Sequence, residues 1–176
     1  MNTRKKSPVV RLAIACLLVF IGFNQLSTKV MSLCVVDGES MSPTFQDGQY
    51  TLMKPAVSFS EKDVSFYDVV VFYQTLERED GSEYRDTLIK RVIGLPGDTV
   101  EITEDGAVLV NGLVINDRCA LEPVQKDNRG IASQSITVPE GCLFVLGDNR
   151  NASVDSRVFG VIRYPQICGK IVELSW

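Results

Sequence analysis

Asp68-Val69-Val70-Val71-Phe72-Tyr73-Gln74 is the stretch whose reading decides the fold. Three consecutive β-branched residues followed by two aromatics favour an extended strand. Leu88 to Leu95, LIKRVIGL, reads the same way, and Tyr50 to Met53 is a shorter strand. Thr99 to Ile102 and Val108 to Val110 flank Thr103-Glu104-Asp105-Gly106-Ala107, a hairpin signal with Asp-Gly at its tip. Asn111-Gly112 marks a second turn, leading to Leu113-Val114-Ile115. Ser135 to Val138, Cys142 to Leu146, Val158 to Ile162 and Lys170 to Leu174 complete the set. Many short strands with Gly, Pro, Asn and Asp between them predict an all-β, folded-over or barrel-like antiparallel structure. The charged stretches Glu77 to Asp86 and Leu121 to Gly130 lack periodicity and read as exposed loops. A smaller inserted lobe is expected over about residues 98–139.

Composition narrows the chemistry. The chain has 176 residues, 45% hydrophobic and 23% charged, which fits a folded protein. Its net charge of -4 offers no basic footprint for nucleic acid. It contains no histidine. A Ser-His-Asp or Cys-His centre is therefore impossible within the chain, and so are thermolysin-like and carbonic-anhydrase-like zinc sites. A hydrolase built on this sequence must take its base from Lys, Asp, Glu or a less common group. None of the five cysteines has CxxC spacing, which disfavours a zinc or redox motif. A disulfide among Cys119, Cys142 and Cys168 and buried free thiols both remain open.

Leu12 to Phe23, LAIACLLVFIGF, carries no charge. It is short for a span of about 20 residues, but Arg11 can snorkel toward headgroups and lengthen it. Arg4, Lys5, Lys6 and Arg11 precede the run, and only Lys29 follows closely. The positive-inside rule then sets the N-terminus in the cytoplasm and the remainder outside. The rival reading is a cleavable signal peptide, but Phe23 to Lys29 lacks an A-x-A-like cleavage pattern. The expected organisation is a tail and single transmembrane helix in residues 1–31, then an extracytoplasmic β-rich domain in residues 32–176.

Three further segments carry chemistry. In Val35-Val36-Asp37-Gly38-Glu39-Ser40-Met41-Ser42-Pro43-Thr44, a serine sits on a turn bounded by Gly38 and Pro43. Such a turn can present a hydroxyl beside backbone N–H groups, although most serines in such turns only bend or cap the chain. In Leu88 to Asp98, Lys90 and Arg91 sit within an apolar strand. Alternation groups Lys90 with Leu88 and Val92, and Arg91 with Ile89 and Ile93. Arginine stays protonated, whereas lysine can serve as a base. Working near pH 7 requires its pKa to drop by about 3 from about 10.4, which is about 4–5 kcal/mol and within reach of burial. An amphipathic strand with two solvated charges is the plainer alternative. Gly147-Asp148-Asn149-Arg150-Asn151-Ala152-Ser153-Val154-Asp155-Ser156-Arg157 is a dense polar loop. It reads as support for a site, or as a structural turn with an Asp155–Arg157 or Asp148–Arg150 ion pair.

In order, spacing and wording, GESMSPT, DVVVF, KRVIGLPGD and GDNRNASVDSR followed by FGVI resemble the bacterial type I signal peptidases. The resemblance covers essentially the whole chain. It implies a membrane-bound serine endopeptidase without metal or cofactor, acting on the signal peptides of secretory preproteins. Position by position, it implies Ser40 as nucleophile and Lys90 as general base. Ser153 matches the serine that holds the lysine, and Asp155 and Arg157 match the pair that buttresses the site. The backbone N–H of Ser40 would supply part of the oxyanion hole. Val36, Met41 and Leu88 would line pockets for small substrate residues. Gly38 stands where some members carry a second hydroxyl donor, which resembles the Gram-positive pattern and leaves that donor unassigned.

Overall fold

The structure, a computed structural model, describes residues 31–78 and 80–172. The apolar run Leu12 to Phe23, and the anchor expected there, lie outside the described residues. Among the described residues, no helix is long and apolar enough to cross a membrane.

The described chain is mostly strand. β1 (Ser32–Val35), β2 (Tyr50–Pro55), β3 (Val69–Glu77) and β4 (Glu83–Gly94) come first. β5 (Thr99–Ile102), β6 (Val108–Val110), β7 (Leu113–Val114) and β8 (Ile136–Thr137) follow. β9 (Cys142–Leu146), the short helix α1 (Ser156–Phe159), β10 (Ile162–Arg163) and β11 (Ile167–Ile171) close the chain. A seven-stranded sheet has the order β1-β2-β11-β3-β4-β9-β10, and a four-stranded sheet has the order β7-β6-β5-β8. Every recorded strand pair is antiparallel.

The valine run explains why β3 sits centrally. Alternate residues of a strand face opposite sides, so an all-apolar run suits burial on both faces. Val70 and Phe72 pack with Val92, Leu143, Val145 and Ile162 in one cluster, with Leu88 against it. Val69 and Val71 pack with Val36, Met41, Phe45, Ile89 and Ile171 in another. A third cluster joins Ile93, Phe144 and Leu146 of the large sheet to Val100, Ile102 and Val108 of the small one. The two sheets therefore share a core.

Several expectations need correction. Glu77 to Asp86 is not a loop: β3 and β4 stay paired from Val69↔Arg91 to Glu77↔Glu83. The periodicity that a buried face would impose is missing because the outer hairpin is stabilised by surface contacts. Arg85 lies over the Tyr73 ring at 4.2 Å, and Arg78 lies over Tyr84 at 4.4 Å. The strand expected at Val158 to Ile162 is instead α1 followed by β10. Asp155 caps the helix by accepting from the Arg157 N–H, which overrides the β preference of Val158. Residues 32–35, which carry no strand signal in the sequence, form the edge strand β1. Of the two alternatives left open for Cys119, Cys142 and Cys168, the structure shows no disulfide among them.

Phe144 is fully buried at the junction of the sheets. Replacing it with alanine is expected to lower stability by about 3–5 kcal/mol, measured by urea denaturation, because a cavity opens where both layers meet.

Candidate active site

Ser40 lies in the turn between β1 and β2. Gly38 starts this turn with φ of 84°, a conformation that side chains disfavour. The Gly38 N–H donates to Asp47 Oδ1 at 2.8 Å, and the Phe45 N–H donates to the Met41 carbonyl at 2.9 Å. The turn is thus braced on both sides of the serine. Met41 anchors it by being fully buried against β3 and β4.

Lys90 reaches this turn from β4. Its Nζ donates to Ser40 Oγ at 2.8 Å and to the Ile89 carbonyl at 2.8 Å. Lys90 is 3% exposed and Arg91 is 2% exposed, so neither is the solvated charge of an amphipathic strand. Burial pushes the Lys90 ammonium down from its ordinary 10.5 to about 8. The carboxylates of Asp155, Asp148 and Asp86 oppose that drop, while Arg157 adds to it. At pH 7 about a tenth of such amines are neutral.

Arg91 takes a different partner set. Its guanidinium grips Asp148 through Nε at 2.8 Å and Nη2 at 2.7 Å, and its Nη1 donates to the Tyr67 carbonyl at 2.8 Å. Thr44 Oγ1 donates to Asp148 Oδ2 at 2.5 Å. The Asp148–Arg150 pairing considered from sequence is not formed. Arg150 instead pairs with Asp117 at 2.6 Å. The Asp155–Arg157 pair is formed, with Nε at 2.8 Å and Nη2 at 2.7 Å, and Asp155 also accepts from the Gly147 N–H at 3.0 Å. The Arg91–Asp148 pair leaves no local signal in the sequence, because 57 residues separate the two and only the β4–β9 pairing brings them together.

Ser153 is in the same loop. Its Oγ is shut off from solvent and makes no hydrogen bond among the described residues, including to Lys90. Gly147 makes the packing possible. A Cβ there would lie 2.3 Å from Ser153 Oγ and 2.6 Å from the Ser40 carbonyl oxygen. The Asn149 N–H donates to that carbonyl at 3.0 Å, tying the loop to the serine turn. The Ser40 N–H itself makes no hydrogen bond among the described residues, so it can donate to a ligand.

A cleft of about 310 Å³ opens beside Ser40 and Lys90. Its walls include Val35, Val36 and Asp37 on one side and Asp86, Thr87 and Leu88 on the other. Met41 lies behind the wall, in the core. β1 ends the sheet order, and β4 pairs with β9 only from Arg91 onward. Both walls thus carry strand edges without a partner among the described residues. Among those residues, no cluster of three or more Cys, Asp or Glu is placed to hold a metal ion.

A family model described as signal peptidase, peptidase S26, matches residues 6–176. Signal peptidase I of Bacillus caldolyticus is 35% identical over 156 residues, covering 84% of this chain and 80% of that protein. Signal peptidase I V of Bacillus subtilis is 37% identical over 152 residues, covering 78% and 82%. Signal peptidase IB of Staphylococcus aureus strain COL is 32% identical over 181 residues, covering 96% and 87%. The crystal structure of a signal peptidase I from Enterococcus faecalis V583 is 33% identical, with a TM-score of 0.46, covering 65% of this chain and all of that one.

Asp148→Asn removes the counter-charge of a buried guanidinium. A loss of about 3–5 kcal/mol in stability is expected, read from urea denaturation of the variant beside the unaltered protein.

Proposed function

Since the chain belongs to the signal peptidases of peptidase family S26, we propose that it removes N-terminal signal peptides from exported preproteins, with Ser40 as nucleophile and Lys90 as general base. The observation that carries this reading is the 2.8 Å contact between a buried, acid-shifted lysine and a serine hydroxyl at the end of an open cleft.

The chemistry is acyl transfer. Neutral Lys90 Nζ takes the Ser40 hydroxyl proton as Oγ bonds to the scissile carbonyl carbon. The oxygen of that carbonyl becomes an anion, and the Ser40 N–H is suited to donate to it. As the C–N bond breaks, the Lys90 ammonium returns the proton to the leaving amine. Water then gives a proton to Lys90 and attacks the acyl carbon, and Ser40 Oγ leaves with that proton. Lysine can do this only where burial lowers its pKa enough to leave a working fraction of it neutral. Asp155 and Arg157 are positioning residues that hold Gly147 and the loop, and Ser153 is a positioning residue that fills the space beside them.

The substrate lies extended in the cleft, adding its backbone to the unpaired edges of β1 and β4. Val36 and Leu88 form walls that suit small side chains, and Met41 sets the depth from behind. Leu12 to Phe23 serves as a single membrane anchor with the N-terminus in the cytoplasm and residues 32–176 outside. Exposed Leu33 and Val35, on the first described strand after that run, suit contact with membrane lipid. Residues of the second sheet form an inserted lobe over about 98–139.

The assignment is tested by incubating the detergent-solubilised protein with a secretory preprotein and sequencing the new N-terminus. Cleavage after a small residue is expected, with at least a thousandfold loss in Ser40→Ala and in Lys90→Ala while both variants stay folded. Full activity in either would remove that residue from the mechanism. A pH profile tests the base separately. Neutral lysine is the active form, so kcat/KM should rise with pH through an apparent pKa of about 8. The Asp86 charge favours the protonated amine, so Asp86→Asn should move this rise to lower pH. A profile insensitive to pH between 6 and 9 would sink the lysine assignment (a range of roughly one unit or more either side of that pKa).

A further inference from the structure

Arg150 is 1% exposed, yet its guanidinium touches neither Ser40 nor Lys90. It bridges two parts of the chain. Its Nη2 donates to Asp117 Oδ1 at 2.8 Å, and its Nη1 pairs with Asp117 Oδ2 at 2.6 Å. Its Nε donates to the Gly147 carbonyl at 2.9 Å. Asp117 follows β7, so it belongs to the region of the small sheet, whereas Gly147 opens the polar loop of the large one.

Gly147 is where a small displacement would matter most. Its carbonyl is held by Arg150 and its N–H by Asp155 at 3.0 Å. Its Cα is wedged between the Ser40 carbonyl and Ser153 Oγ with no room for a methyl group. The same two segments are sewn together nearby. The Leu121 N–H donates to the Asp148 carbonyl at 3.0 Å, and Asn151 Nδ2 donates to the Pro123 carbonyl at 3.0 Å. Asn151 Oδ1 accepts from the Gln125 N–H at 2.8 Å.

We propose that Asp117 and Arg150 are a positioning pair through which the small-sheet region sets the geometry of the Ser40–Lys90 centre. The proposal rests on the reading of Ser40 and Lys90 as the reacting groups. Asp117 aligns the guanidinium, the guanidinium pins the Gly147 carbonyl, and Gly147 fixes the height of the serine turn against the lysine. Reaction rates are sensitive to displacements of about an ångström at the reacting atoms, so loosening this chain should lower turnover while leaving the cleft able to bind. Asp117 lies outside the four sequence blocks that carry the family resemblance.

The test uses the full-length, detergent-solubilised protein and a preprotein substrate, each variant assayed below its own Tm. Wild type and Ser40→Ala run alongside, so failure of the serine reading is seen independently of failure of this one. Asp117→Ala is expected to lower kcat at least tenfold with KM within twofold, and Asp117→Glu to recover most of the rate. Glu104→Gln, which removes the exposed Lys126–Glu104 contact at 3.7 Å in the same region, should change neither constant. The double variant Asp117→Leu with Arg150→Met replaces both charges by apolar groups and relieves the unpaired charge, so it should regain thermal stability relative to Asp117→Ala. Its kcat should stay low because the Gly147 carbonyl still lacks its donor. A folded double variant working at the wild-type rate would overturn the proposal. So would losses of kcat in the single variants that merely follow the fraction of unfolded protein.

Discussion

The arrangement depends on keeping one amine out of water. In solvent near pH 7 a lysine is almost wholly protonated and cannot accept a proton from a hydroxyl. Lys90 is acid-shifted because it is shut inside the protein beside Ser40, and burial is the dominant cause. Two buried carboxylates nearby, Asp155 and Asp148, act against the shift. Each is gripped by its own arginine, Arg157 for one and Arg91 for the other. The pairing satisfies the charges that the loop needs for its shape while limiting their pull on the amine. An unpaired carboxylate at the same place would favour the ammonium and work against the base.

Keeping that amine dry is a task for the sheet. β4 carries Lys90 and lies between β3 and β9, so apolar clusters form on both of its faces. Ser40 comes from the turn after β1, and three strands lie between β1 and β4 in the sheet order. β1 and β4 nevertheless line one cleft, so the sheet curls until its first strand faces its fifth. The curl leaves two strand edges open at the cleft. Open edges invite unwanted pairing, and proteins usually blunt or cover them. Here the exposed edges flank the serine, at the place proposed for an extended substrate chain.

The small sheet is tied into this arrangement. Its inner residues share a core with β4 and β9, and residues 117–125 clasp the loop that starts at Gly147. The family resemblance concentrates on the serine turn, β3, β4 and the polar loop. The region between them supplies Asp117, whose carboxylate meets Arg150 across 33 residues of sequence.

How much of this was legible in the sequence follows from the range of each interaction. β character was readable because Val69 to Val71 and the Asp-Gly turn at Asp105-Gly106 are local signals of backbone preference. The absence of histidine excluded whole classes of centre without any structure. The outer half of the β3–β4 hairpin was not readable, because it is held by Arg85 on Tyr73 and Arg78 on Tyr84 rather than by an alternating buried face. The helix at Ser156 was hidden because one cap from Asp155 outweighs the β-branched residue that follows. Candidates for the reacting groups could be nominated from Ser40 and Lys90 as residue types in suggestive surroundings. Their meeting at 2.8 Å, the acid shift of the lysine, and the pairing of Asp148 with Arg91 and of Asp117 with Arg150 were decided only by tertiary structure. Sequence patterns report which faces of local elements prefer to be buried. Which charges share a buried space, and how much water is excluded from it, depends on strands brought together from distant parts of the chain.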